Sequence, residues 1–203
     1  MVTVEVDAAD VERRLGEGGL ACPGCGARLS RWGHARARTV RGFGTALRIR
    51  PRRARCSGCG ITHVLLPVSC LLRRADAVEV IGAALAARAA GAGHRSIADR
   101  LERARETVRG WLRRFAGRLE TVRSFFTALM VRVDVDPVVP PVGESGWVDA
   151  LTAITGAWKA TAWRLGAGPN VEGVGVVTAW RGVCAATSGA LLSPSWPASL
   201  TGW

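Results

Sequence analysis

One short spelling is used twice in this chain and limits how it can fold: Cys-Pro-Gly-Cys-Gly from Cys22 to Gly26, and Cys-Ser-Gly-Cys-Gly from Cys56 to Gly60. Thirty residues lie between the two Cys-x2-Cys pairs. Two intervening residues let both thiolates of a tight turn face one point, and the glycine that follows supplies the left-handed backbone such a turn needs. Two turns give four thiolates, which close a tetrahedral Zn2+ shell and leave no position for water or substrate. Cys22, Cys25, Cys56 and Cys59 are therefore expected to hold a structural zinc ion. A disulfide framework is the competing reading, but a duplicated Cys-x2-Cys at this separation is a metal pattern. His63, four residues after Cys59, is assigned packing or hydrogen bonding, since four sulfurs already suffice. Cys70 and Cys184 fit no pattern and are expected to be small buried hydrophobes.

The segment holding these turns is also free of acid. From Gly18 to Ala75 there are twelve arginines (Arg28, Arg31, Arg36, Arg38, Arg41, Arg48, Arg50, Arg52, Arg53, Arg55, Arg73 and Arg74) and no Asp or Glu. The remainder carries 16 basic and 16 acidic residues, so the whole net charge of +12 sits here. A patch of one sign repels itself when folded and is expected where a polyanion supplies the opposite charge. Double-stranded nucleic acid is the first candidate partner. An anionic membrane would call for a basic amphipathic helix or a lipid signal, and neither is present. No apolar run reaches the roughly 18 residues of a membrane span, and the acidic, Gly-broken start is not a secretory signal. A soluble cytoplasmic protein associated with the nucleoid is expected.

Between the cysteine turns the periodicity is two. Leu47 and Ile49 alternate with Arg48, Arg50 and Arg52, and Ala35 and Ala37 with Arg36 and Arg38. Residues 20–68 are expected to form a small β zinc ribbon with Arg36, Arg38, Arg48, Arg50 and Arg52 on a phosphate-facing side. The alternative, a merely solvated face, would ordinarily mix both signs. Arg41 to Gly44 carries the turn, and Pro51 belongs at a strand end because it lacks a ladder donor.

Farther on the period becomes 3.6. Val78, Ile81 and Leu85 mark a helix from Asp76 to Ala90, ended by Gly91 to Gly93. Ser96 is expected to cap a second helix, with Asp99 completing a capping box. A break at Glu102 to Ala104 leads to a third helix with Val108, Trp111, Leu112 and Phe115 inward and Arg105, Arg109 and Arg113 on the opposite side. Residues 75–130 therefore read as an all-α helix-turn-helix domain of three helices, the alternative being an ordinary helical hairpin. The third helix suits a major groove, with Arg105, Glu106 and Arg109 at base edges and Arg113 and Arg114 at phosphates. Glu106 would equally stabilise the first turn through the helix dipole.

The stretch IADRLERARETVRGWLRRF, from Ile97 to Phe115, resembles the IAxxLGxxxxTVxxWLxRF pattern of transposase and resolvase helix-turn-helix domains. The double-knuckle segment is similar to the N-terminal zinc ribbon of insertion-sequence transposases. The order of the two resembles a bacterial family of zinc-ribbon plus helix-turn-helix, transposase-like proteins. The likeness extends over Cys22 to Phe126 and weakly into the tail. It implies zinc on the four cysteines and DNA reading by Arg105 to Arg114. Two positions depart from it: Glu102 stands where the turn usually has Gly, and Ala104 offers no cap where Ser or Pro is common.

Residues 1–19 are read as an N-terminal segment, 131–146 as a Pro-rich linker, and 147–203 as a helical or partly disordered region with Trp147, Leu151, Ile154 and Trp158 on one helix face. Transposases of this kind add an RNase H-like domain with three metal-binding carboxylates. After Arg132 only Asp134, Asp136, Glu144, Asp149 and Glu172 remain, in a stretch too short for it. No catalytic residue is expected. The expected function is a non-catalytic, zinc-dependent, sequence-specific DNA-binding protein, regulatory or associated with a mobile element. Two alternatives stay open: the DNA-binding portion of a transposase system whose catalytic domain is separate or lost, and an RNA-binding ribbon. A transposase partner or a second copy of the chain would complete the set of partners.

Overall fold

The computed structural model describes residues 1–143, 145–164, 178–194 and 196–197. The fold is mixed, with strands in the N-terminal half and most helices after them. The parts of the expected C-terminal region at 165–177, 195 and 198–203 lie outside the described residues.

The first nineteen residues belong to the sheet they precede. Strand β1 (Val2–Val4) runs parallel to β6 (Thr62–Pro67), and helix α1 (Ala8–Glu17) buries Val11 and Leu15. Asp7 caps α1 through its carboxylate, which accepts from the Ala9 N–H at 2.8 Å, and Gly18 ends it at φ 77°. The sheet order is β1-β6-β5-β2, with β2 spanning Leu29–His34 and β5 Arg52–Cys56. Its core is small: Val4, Val11, Leu15, Leu20, Leu29, Ala54 and Leu65 beside Cys22 and Cys56. Such a core stabilises little, which gives the cysteine turns their importance.

The expected single ribbon is in fact two sheets. Between β2 and β5 the chain leaves to form a separate hairpin, β3 (Arg38–Arg41) with β4 (Ala46–Ile49). Arg38 faces Ile49 and Val40 faces Leu47, so these four share one side of the hairpin. Val40 is buried against Leu66 and Cys70, with Ile49 packed beside them. Arg38 is consequently turned inward, its guanidinium donating to the Arg74 carbonyl at 3.1 Å. Leu47, expected on an apolar inner face, is 56% exposed and does not join Val40 and Ile49 in that cluster. Pro51 sits between β4 and β5, as a residue without an N–H should.

Helix α2 (Val78–Ala89) buries the expected Val78, Ile81 and Leu85, and also Val80, Gly82, Ala84 and Ala87. It is apolar nearly all round because α3 (His94–Leu101) and α4 (Arg105–Ala116) pack on it from one side and α7 (Ala179–Ala186) from another. Helix α3 begins two residues before the expected cap. Gly93 is its N-cap, the Gly93 carbonyl accepts from the Ile97 N–H, and Ser96 lies exposed inside the first turn. Glu102 adopts φ 53° and donates its N–H to the last α3 carbonyls, so the turn keeps a left-handed residue without glycine. Val108, Trp111, Leu112 and Phe115 of α4 are all buried.

Helix α5 (Leu119–Val133) reaches three residues into the expected linker and packs along α6 (Gly146–Arg164). The inner face of α6 holds the expected Ile154, with Trp147 and Leu151 packed against the same core, and it adds Ala150, Ala153, Ala157 and Ala160. Trp158 instead packs over Gly182 of α7, where a Cβ would sit 2.5 Å from its ring. Trp180 covers Gly82 in the same manner, at 2.2 Å. The chain beyond α7 returns to the junction of sheet and helices: the Leu72 N–H donates to the Gly189 carbonyl, and the Cys184 thiol to the Cys70 carbonyl at 3.1 Å. Both cysteines are fully buried.

Candidate metal centre and basic surface

Each Cys-x2-Cys turn closes on itself. The Gly26 N–H donates to the Cys22 carbonyl and the Gly60 N–H to the Cys56 carbonyl, with φ 72° and 73° at the two glycines. The turns face one another across the end of the sheet, since β2 and β5 pair Leu29 with Cys56. All four sulfurs lie within 4.8 Å of one another, Cys25 and Cys56 at 3.3 Å and Cys22 and Cys59 at 3.8 Å. They are close enough to bind one metal ion. The Cys59 N–H, pointing at the Cys56 sulfur, pulls the Cys56 thiol down to about 6. At Cys59 the Ile61 N–H favours the thiolate, but hydrogen bonding with Cys56 and burial outweigh it and push the thiol up to about 11. Thiols crowded on one point share protons in this way, and a cation at that point would release them.

His63 stands beside the cluster and outside it. Its Nε2 lies 3.4 Å from the Cys22 sulfur and its Nδ1 3.1 Å from the Met1 amino group. Burial, then the amino charge, lowers its pKa, which favours the neutral ring.

The arginines divide into two sets. Helix α1 supplies acid to one arginine of each of β2 and β5: Glu12 pairs with Arg31 at 2.9 Å and with Arg52 at 2.7 Å. Arg52, expected on the phosphate-facing side, is thus half-buried and neutralised, and Arg38 is held inward as above. Arg36, Arg48 and Arg50 are exposed, without an ion-pair or hydrogen-bond partner among the described residues, and line one shallow groove with Ala35, Ala37 and Ile49. On α4, Arg105, Glu106, Arg109, Arg113 and Arg114 are all exposed. Arg105 reaches Asp99 at 3.4 Å and Arg109 reaches Glu106 at 3.5 Å, loose surface pairs that stabilise little. Arg114 folds back on the Gly110 carbonyl, where a Cβ would lie 2.9 Å from its guanidinium.

Sequence reasoning missed the residue that joins these sets. Asp76, 2% exposed, accepts from Arg41 at 2.8 Å and from Arg103 at 2.6 Å. Arg103 also donates to the Gly42 carbonyl at 2.7 Å, and the Arg41 backbone bonds to Ala75 and Ala77. The hairpin end, the approach to α2 and the α3–α4 turn are thereby clamped at one buried carboxylate. A signal was present: Asp76 is the first acid after the acid-free stretch.

Comparison with family models, with curated proteins and with solved structures gives no match. Function must therefore be argued from these groups alone.

Proposed function

We propose that the protein is a non-catalytic, zinc-dependent protein that binds double-stranded DNA sequence-specifically. One observation carries the proposal: Arg36, Arg48 and Arg50 of the hairpin and Arg105, Arg109 and Arg113 of α4 are exposed cations on two elements clamped together through Asp76. Exposed guanidinium groups, unpaired beside the hairpin and only loosely paired on α4, suit a polyphosphate, whose contacts fix register while base edges supply specificity. In this reading α3 and α4 form a helix-turn-helix, with α2 as the supporting helix. Arg105, Glu106 and Arg109 meet base edges, and Arg113, Arg114 and the hairpin arginines meet phosphates.

Zinc fits the four cysteines. Tetrahedral bonds of about 2.3 Å place sulfurs about 3.8 Å apart, against the 3.3 and 3.8 Å of the two cross-turn pairs. Its part is structural: it fixes the end of the sheet from which the hairpin departs. The biological setting is that of a regulator or of the DNA-binding subunit of a mobile element.

Selection from random duplex DNA, with and without chelator, tests the reading. A discrete motif is expected from the metal-loaded chain and none after chelation, with binding that weakens steeply as salt rises. Failure of the metal-loaded chain to retain any duplex at low salt would refute it.

A further inference from the structure

The tip of the β3–β4 hairpin carries an aromatic residue that the fold does not use. Phe43 is 57% exposed and makes no ring contact among the described residues, and Leu47 beside the turn is 56% exposed. The turn that presents it is firmly held. The Gly42 N–H donates to the Thr45 carbonyl at 2.8 Å, Gly44 takes φ 59°, and the Arg103 guanidinium grips the Gly42 carbonyl at 2.7 Å. Arg103 directly precedes Ala104, the N-cap of α4. Phe43, two residues past Arg41, therefore stands within about 7 Å of chain from the clamp at the start of α4. Unpaired Arg48 and Arg50 follow on the returning strand and its exit.

A lone exposed apolar side chain is ordinary on a protein surface. Here it lies exposed in the tip turn of a cationic, acid-free hairpin that Arg103 holds beside the start of α4, the end assigned to base edges above. The minor groove adjoins the major groove across a single phosphate strand and is about 6 Å wide. Proteins that grip it combine arginines with an apolar wedge driven between base steps, which kinks the duplex. We infer that the Gly42–Thr45 turn enters the minor groove next to the α4 site and that Phe43 is a wedge that bends the bound DNA. The inference rests on the DNA-binding reading above and adds a second groove, a second contact residue and a deformation of the partner. Specificity would then extend beyond the base pairs read by α4, favouring flexible pyrimidine–purine steps at the wedge.

The test uses the full metal-loaded chain and end-labelled duplexes carrying the selected motif, with bending read by energy transfer between the ends. Wild type is expected to kink the duplex by about 20 to 90°. Phe43→Ala should bind with a loss on the order of tenfold or less, because wedge contact and base unstacking nearly offset, while the bend disappears. Phe43→Leu should keep most of the bend. Replacing A·T pairs at the wedge by I·C, which preserves the minor-groove face, should leave bending intact, whereas G·C should reduce it. A straight duplex bound by wild type, or an equal bend with Phe43→Ala, overturns the wedge and leaves DNA binding standing. If wild type binds no duplex at all, both the wedge and the DNA-binding reading fall. Phe43 is 57% exposed and belongs to no buried cluster, and Phe43→Leu together with an unchanged circular dichroism spectrum separates loss of the wedge from altered folding.

Discussion

The sheet region before Pro67 and the helical region after Val78 hold themselves together by different means. The helical region has a continuous apolar core running from α2 through α6 to Trp196, with ring contacts such as Phe115 on Trp147 at 5.3 Å. The sheet region has a few aliphatic residues and four sulfurs gathered at one end. A small domain without enough apolar area needs a staple, and the cysteines are placed to take one. The same contrast governs charge. Arg31 and Arg52 are neutralised by Glu12 of α1, whereas Arg36, Arg48 and Arg50 around the hairpin and the arginines of α4 face solvent.

Removing metal is the strongest way to break the comparison. Chelation, or Cys25→Ser, should unfold the sheet region and leave the helices, a loss on the order of 10 kcal/mol if zinc behaves as in small zinc modules. Metal analysis should find about one ion per intact chain. Circular dichroism with limited proteolysis should show helical signal retained while residues near the cysteines become cleavable. Loss of both regions together would mean that they are not independent.

Asp76→Ala attacks the seam between them. It leaves Arg103, whose side chain is 11% exposed, without its carboxylate. A cost of about 3 to 5 kcal/mol is expected from denaturant unfolding. Gly82→Ala probes how rigid the helical core is. A methyl there collides with Trp180, so either α7 undocks or stability drops by about 1 to 3 kcal/mol. Tryptophan fluorescence distinguishes the two.

The charge contrast gives a gentler test. Arg109→Ala should cost about 1 to 3 kcal/mol on the selected DNA and little on random duplex. Arg48→Ala should weaken both alike and lower the salt slope by about one. Arg52→Ala, already paired with Glu12, should change binding least of the three. Binding measured across a salt series separates these outcomes.

The smallest effect concerns Glu120. Hydrogen bonds from Arg123 and then Ser124 hold its carboxyl down to about 2, below its ordinary 4.5. A lowered folded-state value means that the stabilisation is complete above pH 4.5 and fades as pH falls toward 2. Glu120→Gln should flatten the acid side of the Tm profile and leave DNA binding unchanged.

The residues legible in advance were those set by local spacing. The two Cys-x2-Cys turns, the left-handed Gly26 and Gly60, and the inward faces of α2 and α4 follow from turn geometry and from the 3.6-residue repeat, which depend on neighbours in sequence. The repeated spelling announced a shared site, and the pairing of β2 with β5 assembles it. The partners of the arginines were different. Arg38 and Arg52 lie in the same alternating pattern as Arg48 and Arg50, yet register and the distant acid of α1 took the first pair inward. Likewise Asp76 met Arg103 and Arg41, and Gly82 met Trp180, across separations that no repeat encodes. Which charges remain free was settled by packing across the chain, because neutralisation depends on what lies within a few ångströms in space.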